Sequence, residues 1–174
     1  FEIGTNNYNE ISELTSLIRP HQAIITNILP THLQNFINTR NVAIEKSYIF
    51  NPKFSPNIEM LILKNENKDE KYIFELAKKM KIPEIITIGK KINSSFFIKD
   101  ITKINDRLSL VNVVFNKKIY RFYTNLSHYH QIYNQVICLS IFQFNKLNLD
   151  NFLQNSKKTP LVKGRGLEKR VKIN

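Results

Sequence analysis

The chain has 174 residues, 42% of them hydrophobic, enough for one domain and marginal for two, with apolar content sufficient to fill a core. Its formal charge of +12 would ordinarily suggest a polyanionic partner, but residues 1–50 carry three Lys/Arg against four Asp/Glu. The excess is lysine-rich and lies entirely downstream, so a nucleic-acid partner is not expected. A single cysteine, Cys138, excludes a disulfide framework and a cysteine-based zinc site, and points to a reducing, cytoplasmic setting. No apolar run approaches the roughly 20 residues that cross a bilayer, and no charged-then-apolar leader opens the chain. The first residue is Phe1, and a fragment or processed product is expected.

Phe1–Gly4 reads as the end of a buried strand running into a polar turn, with Asn7 or Asn9 placed to cap the next helix. Ile11, Leu14, Leu17 and Ile18 recur at helical spacing, and Pro20 ends the run. Ala23-Ile24-Ile25 is short and apolar, a second buried strand that closes on Thr26-Asn27. A loop with Pro30, Thr31 and His32 leads to a helical pattern through Val42, Ile44 and Ile49. Residues 58–63 suggest a strand, 69–81 an amphipathic helix with Ile73, Leu76, Ala77 and Met80 on one face, and 84–89 a further strand. Residues 108–115 and 119–123 alternate about Asn116-Lys117-Lys118 as an antiparallel hairpin. Helices follow at 130–144 and 149–153. The stretch 157–172 holds seven Lys/Arg and one glutamate, which reads as an exposed linker. The fold class expected is α/β, a mainly parallel sheet flanked by helices with an antiparallel hairpin.

Ligands of such sheets bind outside the carboxyl ends of the strands, which singles out Glu2 and Asn27 on topology. Glu2 and His32, on the loop after the next strand, could both reach one divalent cation of the magnesium or manganese kind. Lys46 could neutralise a phosphate, or act as a ligand once carbamylation has turned its amine into a carboxylate. The plainer alternative makes these a strand-end carboxylate, a loop histidine and a solvated lysine. His128 and His130 form an H-x-H pair with no evident third zinc ligand, which favours a role at a helix start or a nucleotide contact. Gly164-Arg165-Gly166 is a flexible turn around a cation. The chain contains no G-x-x-x-x-G-K-[ST] loop, no G-x-G-x-x-G fingerprint and no order of residues that suggests a Ser–His–Asp triad.

The order of motifs resembles a known family. Glu2-Ile3-Gly4-Thr5-Asn6-Asn7-Tyr8-Asn9-Glu10-Ile11 is similar to the E-x-G-x-N-x-x-G-E-I segment of the Mur ligases. Arg19-Pro20, Ile25-Thr26-Asn27-Ile28 and Thr31-His32-Leu33-Gln34-Asn35-Phe36 resemble its R-P, I-T-N-I and A-H-L-x-x-F segments. Residues 42–50 look like its I-A-x-x-K-x-E-I-F helix, His130–Asn134 like its H-N-x-x-N segment, and Gly164-Arg165-Gly166 like its G-R-G. The likeness is closest to the type that adds D-alanyl-D-alanine to UDP-N-acetylmuramoyl-tripeptide.

The resemblance implies residues 1–156 as the family's central, ATP-binding domain and 157–174 as a basic linker toward a C-terminal domain. It implies ATP and Mg2+ as cofactors, and the UDP-N-acetylmuramoyl-peptide and D-alanyl-D-alanine as partners of a cytoplasmic monomer, through an acyl phosphate. Glu2 and His32 would hold magnesium, Lys46 would be the carbamylated lysine of a second metal site, and Asn27 would lie near the phosphates. His130 and Asn134 would contact the adenine side, and Arg165 would approach the nucleotide. The family's phosphate loop would lie before Phe1, so weak ATP binding and little ligase activity are expected of these residues alone. Family glycines are replaced by Asn9, Asn35 and His128, which should strain turns that want positive φ, and Lys64, Glu66 and Gln131 stand where asparagine, aspartate and asparagine are usual. The alternatives are a basic RNA-associated protein or a non-catalytic remnant.

Overall fold

The computed structural model describes residues 1–126 and 128–160. They fall into two compact units, dividing after Phe97. Strand order follows the chain, β1-β2-β3-β4-β5-β6, and the sheet is mixed, as its sequence pattern predicts.

In the first unit β1 (Gln22–Ile25), β2 (Met60–Lys64) and β3 (Glu84–Gly89) are parallel, and Phe96 and Phe97 of β4 (Phe96–Asn105) extend the ladder along Ile88 and Gly89. Every residue of β2 is buried, the continuous apolar run expected of a strand covered on both faces. Its last residue is nonetheless a lysine. The helices are α1 (Glu10–Ile18), α2 (Leu33–Phe36), α3 (Thr39–Ser47) and α4 (Lys68–Lys79). A reciprocal capping box sets the start of α4: the Asn67 side chain accepts from the Glu70 backbone amide, and the Glu70 carboxylate accepts from that of Asn67. Ile73 and Ala77 then face a core built with Ala23, Ile25, Phe50, Leu61 and Leu63. Arg40 joins α3 to α4, donating to Asp69 at 2.9 Å with its guanidinium 4.0 Å from the centre of the Tyr72 ring.

In the second unit β5 (Leu108–Phe115) and β6 (Lys118–Thr124) are antiparallel. Asn116 and Lys117 join them with both φ values positive, 48° and 63°, as a two-residue type I′ turn demands. Helix α5 (Tyr129–Phe144) buries Ile132, Val136 and Leu139, and α6 (Leu149–Asn155) sets the Phe152 ring 5.5 Å from those of Phe122 and Phe142. Among the described residues no helix is long and apolar enough to cross a membrane.

Two local expectations fail, and one strand escapes the sequence pattern. Residues 1–5 form no strand, and Phe1 is fully exposed. The face α1 buries is Ile11, Ser12 and Thr15, while Leu17 is 82% exposed. The ten-residue β4 is hidden in the sequence by Lys99, Asp100 and Lys103, which break its alternation. Of the three positions where glycine is usual, only Asn9 adopts positive φ (71°). Asn35 lies inside α2, and His128 has φ −90°.

Asn9 does not cap α1 with its own side chain. Glu45, with no exposure at all, does so from α3: its carboxylate accepts from the Asn9 amide at 3.0 Å and the Ile11 amide at 2.9 Å. A buried carboxylate is tolerable only with such partners, and removing it strands two helix-start donors. Replacing Glu45 with alanine should therefore cost about 2–4 kcal/mol in urea unfolding, and glutamine clearly less, since its amide oxygen still accepts one bond.

Candidate functional site

The carboxyl ends of β1, β2 and β3 carry the polar groups. β1 runs out to Asn27, whose backbone carbonyl accepts from Lys46 Nζ at 2.6 Å. Lys46 sits in the last turn of α3, one residue beyond Glu45, so it points to the strand end while its neighbour points to α1. The side-chain Oδ1 of the same Asn27 accepts from Lys64 Nζ, at the end of β2. One asparagine thus receives two lysines, one on each of its oxygens. Burial lowers the pKa of both amines, and for Lys64 the nearby carboxylates of Glu70 and Glu66 partly oppose this. At the end of β3, Glu66 accepts the Lys90 amide at 2.7 Å. A Cβ on Gly89 would sit 2.8 Å from Glu66 Oε1 and 3.0 Å from Ser94 Oγ, so glycine permits this close approach.

A cavity of about 220 Å³ opens at the end of β1. Thr5, Thr26, Thr31, His32 and Lys46 bring its polar groups, over a floor that includes Ile25 and Phe36. His32 is exposed and begins α2 in the left-handed region, φ 53°. Glu2 is exposed, and the two residues after it, Ile3 and Gly4, line the cavity. The structure therefore sets His32 and Lys46 on one cavity, joins Lys46 to Asn27, and places Glu2 on the segment that borders it.

Among the described residues no three His, Cys, Asp or Glu side chains come together as a ready metal cage. Mg2+ takes one or two carboxylates and completes its shell with water and phosphate oxygens; the threonine hydroxyls of the cavity and the Glu2 carboxylate on the adjoining segment are oxygen donors of that kind, whereas the His32 imidazole is a softer nitrogen donor.

The segment after Glu2 is held by Glu10. Its carboxylate accepts from the Asn7 side chain at 2.8 Å, the Asn6 and Asn7 amides at 2.6 and 3.1 Å, and Thr5 Oγ1 at 3.2 Å.

In the second unit His130 and Asn134 are exposed one turn apart on α5, and the His128 and His130 rings stack at 5.5 Å. Arg165 lies outside the described residues, as does all of 161–174. Sequence reasoning missed Lys64 as a member of the site, although a lysine ending an otherwise apolar buried strand was a visible signal. It also missed Glu45, which nothing local marks.

The cavity that Lys46 and His32 line lies at the carboxyl edge of the parallel strands, where open α/β sheets bind their ligands. The Mur ligase middle domain family model matches residues 1–142, and the chain belongs to that family. Curated relatives bear one name, UDP-N-acetylmuramoyl-tripeptide–D-alanyl-D-alanine ligase. That of Rickettsia prowazekii is 34% identical over 95 residues, 55% of this chain and 21% of the relative. That of Borreliella burgdorferi is 28% identical over 167 residues, 95% of this chain and 34% of the relative. The chain thus spans about a fifth and about a third of the length of these two relatives. Among solved structures, MurF from Acinetobacter baumannii superposes with a TM-score of 0.76 at 19% identity, over 93% of this chain and 34% of that one. MurF ligase from Thermotoga maritima in complex with ADP gives 0.73 at 16%, over 94% and 36%. At these identities the likeness establishes the fold.

The Glu10 hydrogen bonds, that from the Asn7 side chain foremost, pull its pKa from 4.5 down to about 2. A carboxylate depressed in the folded state adds stability above its unfolded value, and that stability is lost as pH falls from 4.5 through 2. Carboxyl-carbon NMR should place the Glu10 midpoint near 2, with the Asn6 and Asn7 amides titrating in step, and Asn7→Ala should move it toward 4.5. A wild-type midpoint near 4.5 would mean that these bonds do not form in solution.

Proposed function

We propose that the chain is the central part of an ATP-dependent ligase that joins D-alanyl-D-alanine to UDP-N-acetylmuramoyl-tripeptide through an acyl phosphate, in the cytoplasm. The observation that carries this reading is Lys46, held on the Asn27 carbonyl at the end of β1 and lining the same cavity as His32. The names of the relatives and the family membership support it.

In such a reaction a carboxylate oxygen of the peptide attacks the γ-phosphorus of ATP and ADP leaves. The incoming amine then attacks the acyl carbon, phosphate departs, and the amine's proton passes to solvent or phosphate. Charge accumulates on phosphoryl oxygens throughout, so the protein must present cations and donors there. Glu2 and His32 would hold Mg2+, which when bound neutralises that charge. Thr5, Thr26 and Thr31 offer hydroxyls to phosphate or carboxylate oxygens. Lys46, converted to its carbamate, would bring a carboxylate to the edge of the cavity, and Asn27 keeps its amine in place. His130 and Asn134 would face the adenine and Arg165 the nucleotide, residues 1–156 acting as the central domain of a monomer and 157–174 as a connector.

The test is amide NMR of the chain titrated with UDP-N-acetylmuramoyl-tripeptide, with and without Mg2+. Mg2+-dependent shifts should cluster at Gly4, Thr5, Thr26 and His32, and His32→Ala should weaken the Mg2+ dependence roughly tenfold or more. Shifts confined to other surfaces, or unchanged by His32→Ala, would refute the assignment.

A further inference from the structure

We propose that Lys64 is a positioning residue for Lys46, and that its ammonium is the counter-charge of the carbamate that Lys46 forms with carbon dioxide. The proposal rests on the reading above that Lys46 is carbamylated, and it adds the residue that makes this favourable in this chain. Lys64 is an unusual group to find where it is. It ends a strand whose other four residues are Met60, Leu61, Ile62 and Leu63, and it is only 8% exposed. A buried ammonium persists only where something compensates it. Burial disfavours the charge, but Asn27 Oδ1 accepts its hydrogen bond and the carboxylates of Glu70 and Glu66 favour it. Where the family pattern carries a neutral asparagine, this chain thus keeps a cation at the strand end.

The link to Lys46 is a single residue. Both Nζ atoms bond to oxygens of Asn27, one to the backbone carbonyl and one to the side chain, so they lie within about 10 Å of each other. Gripping the side chain from Lys64 also fixes the carbonyl on which Lys46 rests. In the covalent step the lone pair of the neutral Lys46 amine attacks the carbon of carbon dioxide and an N–C bond forms. One C=O π pair moves to oxygen, and the nitrogen's proton leaves to solvent. The lysine ends as an anion. As an ammonium, Lys46 and Lys64 are like charges on one asparagine. As a carbamate, Lys46 is an opposite charge, so Lys64 favours the modified state on both counts.

The experiment equilibrates the full chain with 13C-bicarbonate and reads the carbamate carbon by NMR, with Lys46→Gln to assign the signal and thermal unfolding to check each fold. Lys64→Gln can still donate to Asn27 but carries no charge, and Lys64→Arg keeps the charge. The expected result is a carbamate population in the wild type that falls about fivefold in K64Q and is largely retained in K64R. Equal populations in wild type and folded K64Q would overturn the proposal while leaving a carbamylated Lys46 intact. No Lys46 signal in the wild type would overturn both. If K64Q does not fold, a loss in folded K64R as great as that in K64Q was expected to be would overturn the charge-balancing role, and retention would support it.

Discussion

A carboxylate sealed from solvent organises the first fifty residues. Glu45 reaches from α3 to the backbone donors at the start of α1, where Asn9 turns the chain through positive φ. That bond fixes the rotation of α3, and with it the direction of the next residue. About 100° further round the helix, Lys46 is aimed at the end of β1. The same rigid piece carries Arg40 to Asp69 and Tyr72, so α3 is anchored to α1, to β1 and to α4 at once. A helix held on three sides is a suitable mount for a reactive amine, because a lysine's four rotatable bonds would otherwise blur its position.

The electrostatics of the carboxyl edge follow from strand ends that carry charge where the sheet interior cannot. Lys64, Glu66 and Glu70 gather at the β2–α4 junction, and Lys46 lies at the neighbouring strand end. The overall charge of +12 says little about this arrangement, since residues 1–50, which build the cavity, are close to neutral. What matters is a short-range alternation of ammonium and carboxylate groups partly out of water, where each interaction is worth more than its surface counterpart.

How much of this was legible in the sequence differs from element to element. β3 and α4 were readable because Pro83 separates them and the apolar period of Ile73, Leu76, Ala77 and Met80 is clean. The hairpin was readable from Asn116-Lys117, residues that sit between two alternating runs. β4 was not, because its outer face is solvated and polar. The first residues misled, since Phe1-Glu2-Ile3 has strand composition but takes no strand conformation in the described structure. For the site, motif order pointed to Glu2, Asn27, His32 and Lys46. The convergence of Lys46 and Lys64 on Asn27 could not be read, as it joins residues 19 and 37 positions from Asn27 through the register of β1 on β2. Burial of Glu45 was equally invisible, for nothing along the helix distinguishes it from a solvated glutamate.

The central claim is that the segment carrying Glu2, the His32 loop and the end of β1 form one site for a divalent cation and its phosphate ligands. Crystals of the chain grown with manganese chloride and inorganic phosphate test it most directly, by anomalous scattering at the manganese edge. The account predicts that the strongest anomalous peak lies within bonding distance of the Glu2 carboxylate and the His32 imidazole, at the cavity that Lys46 lines. Manganese bound elsewhere, with Glu2 and His32 both making no contact to it, would contradict the account.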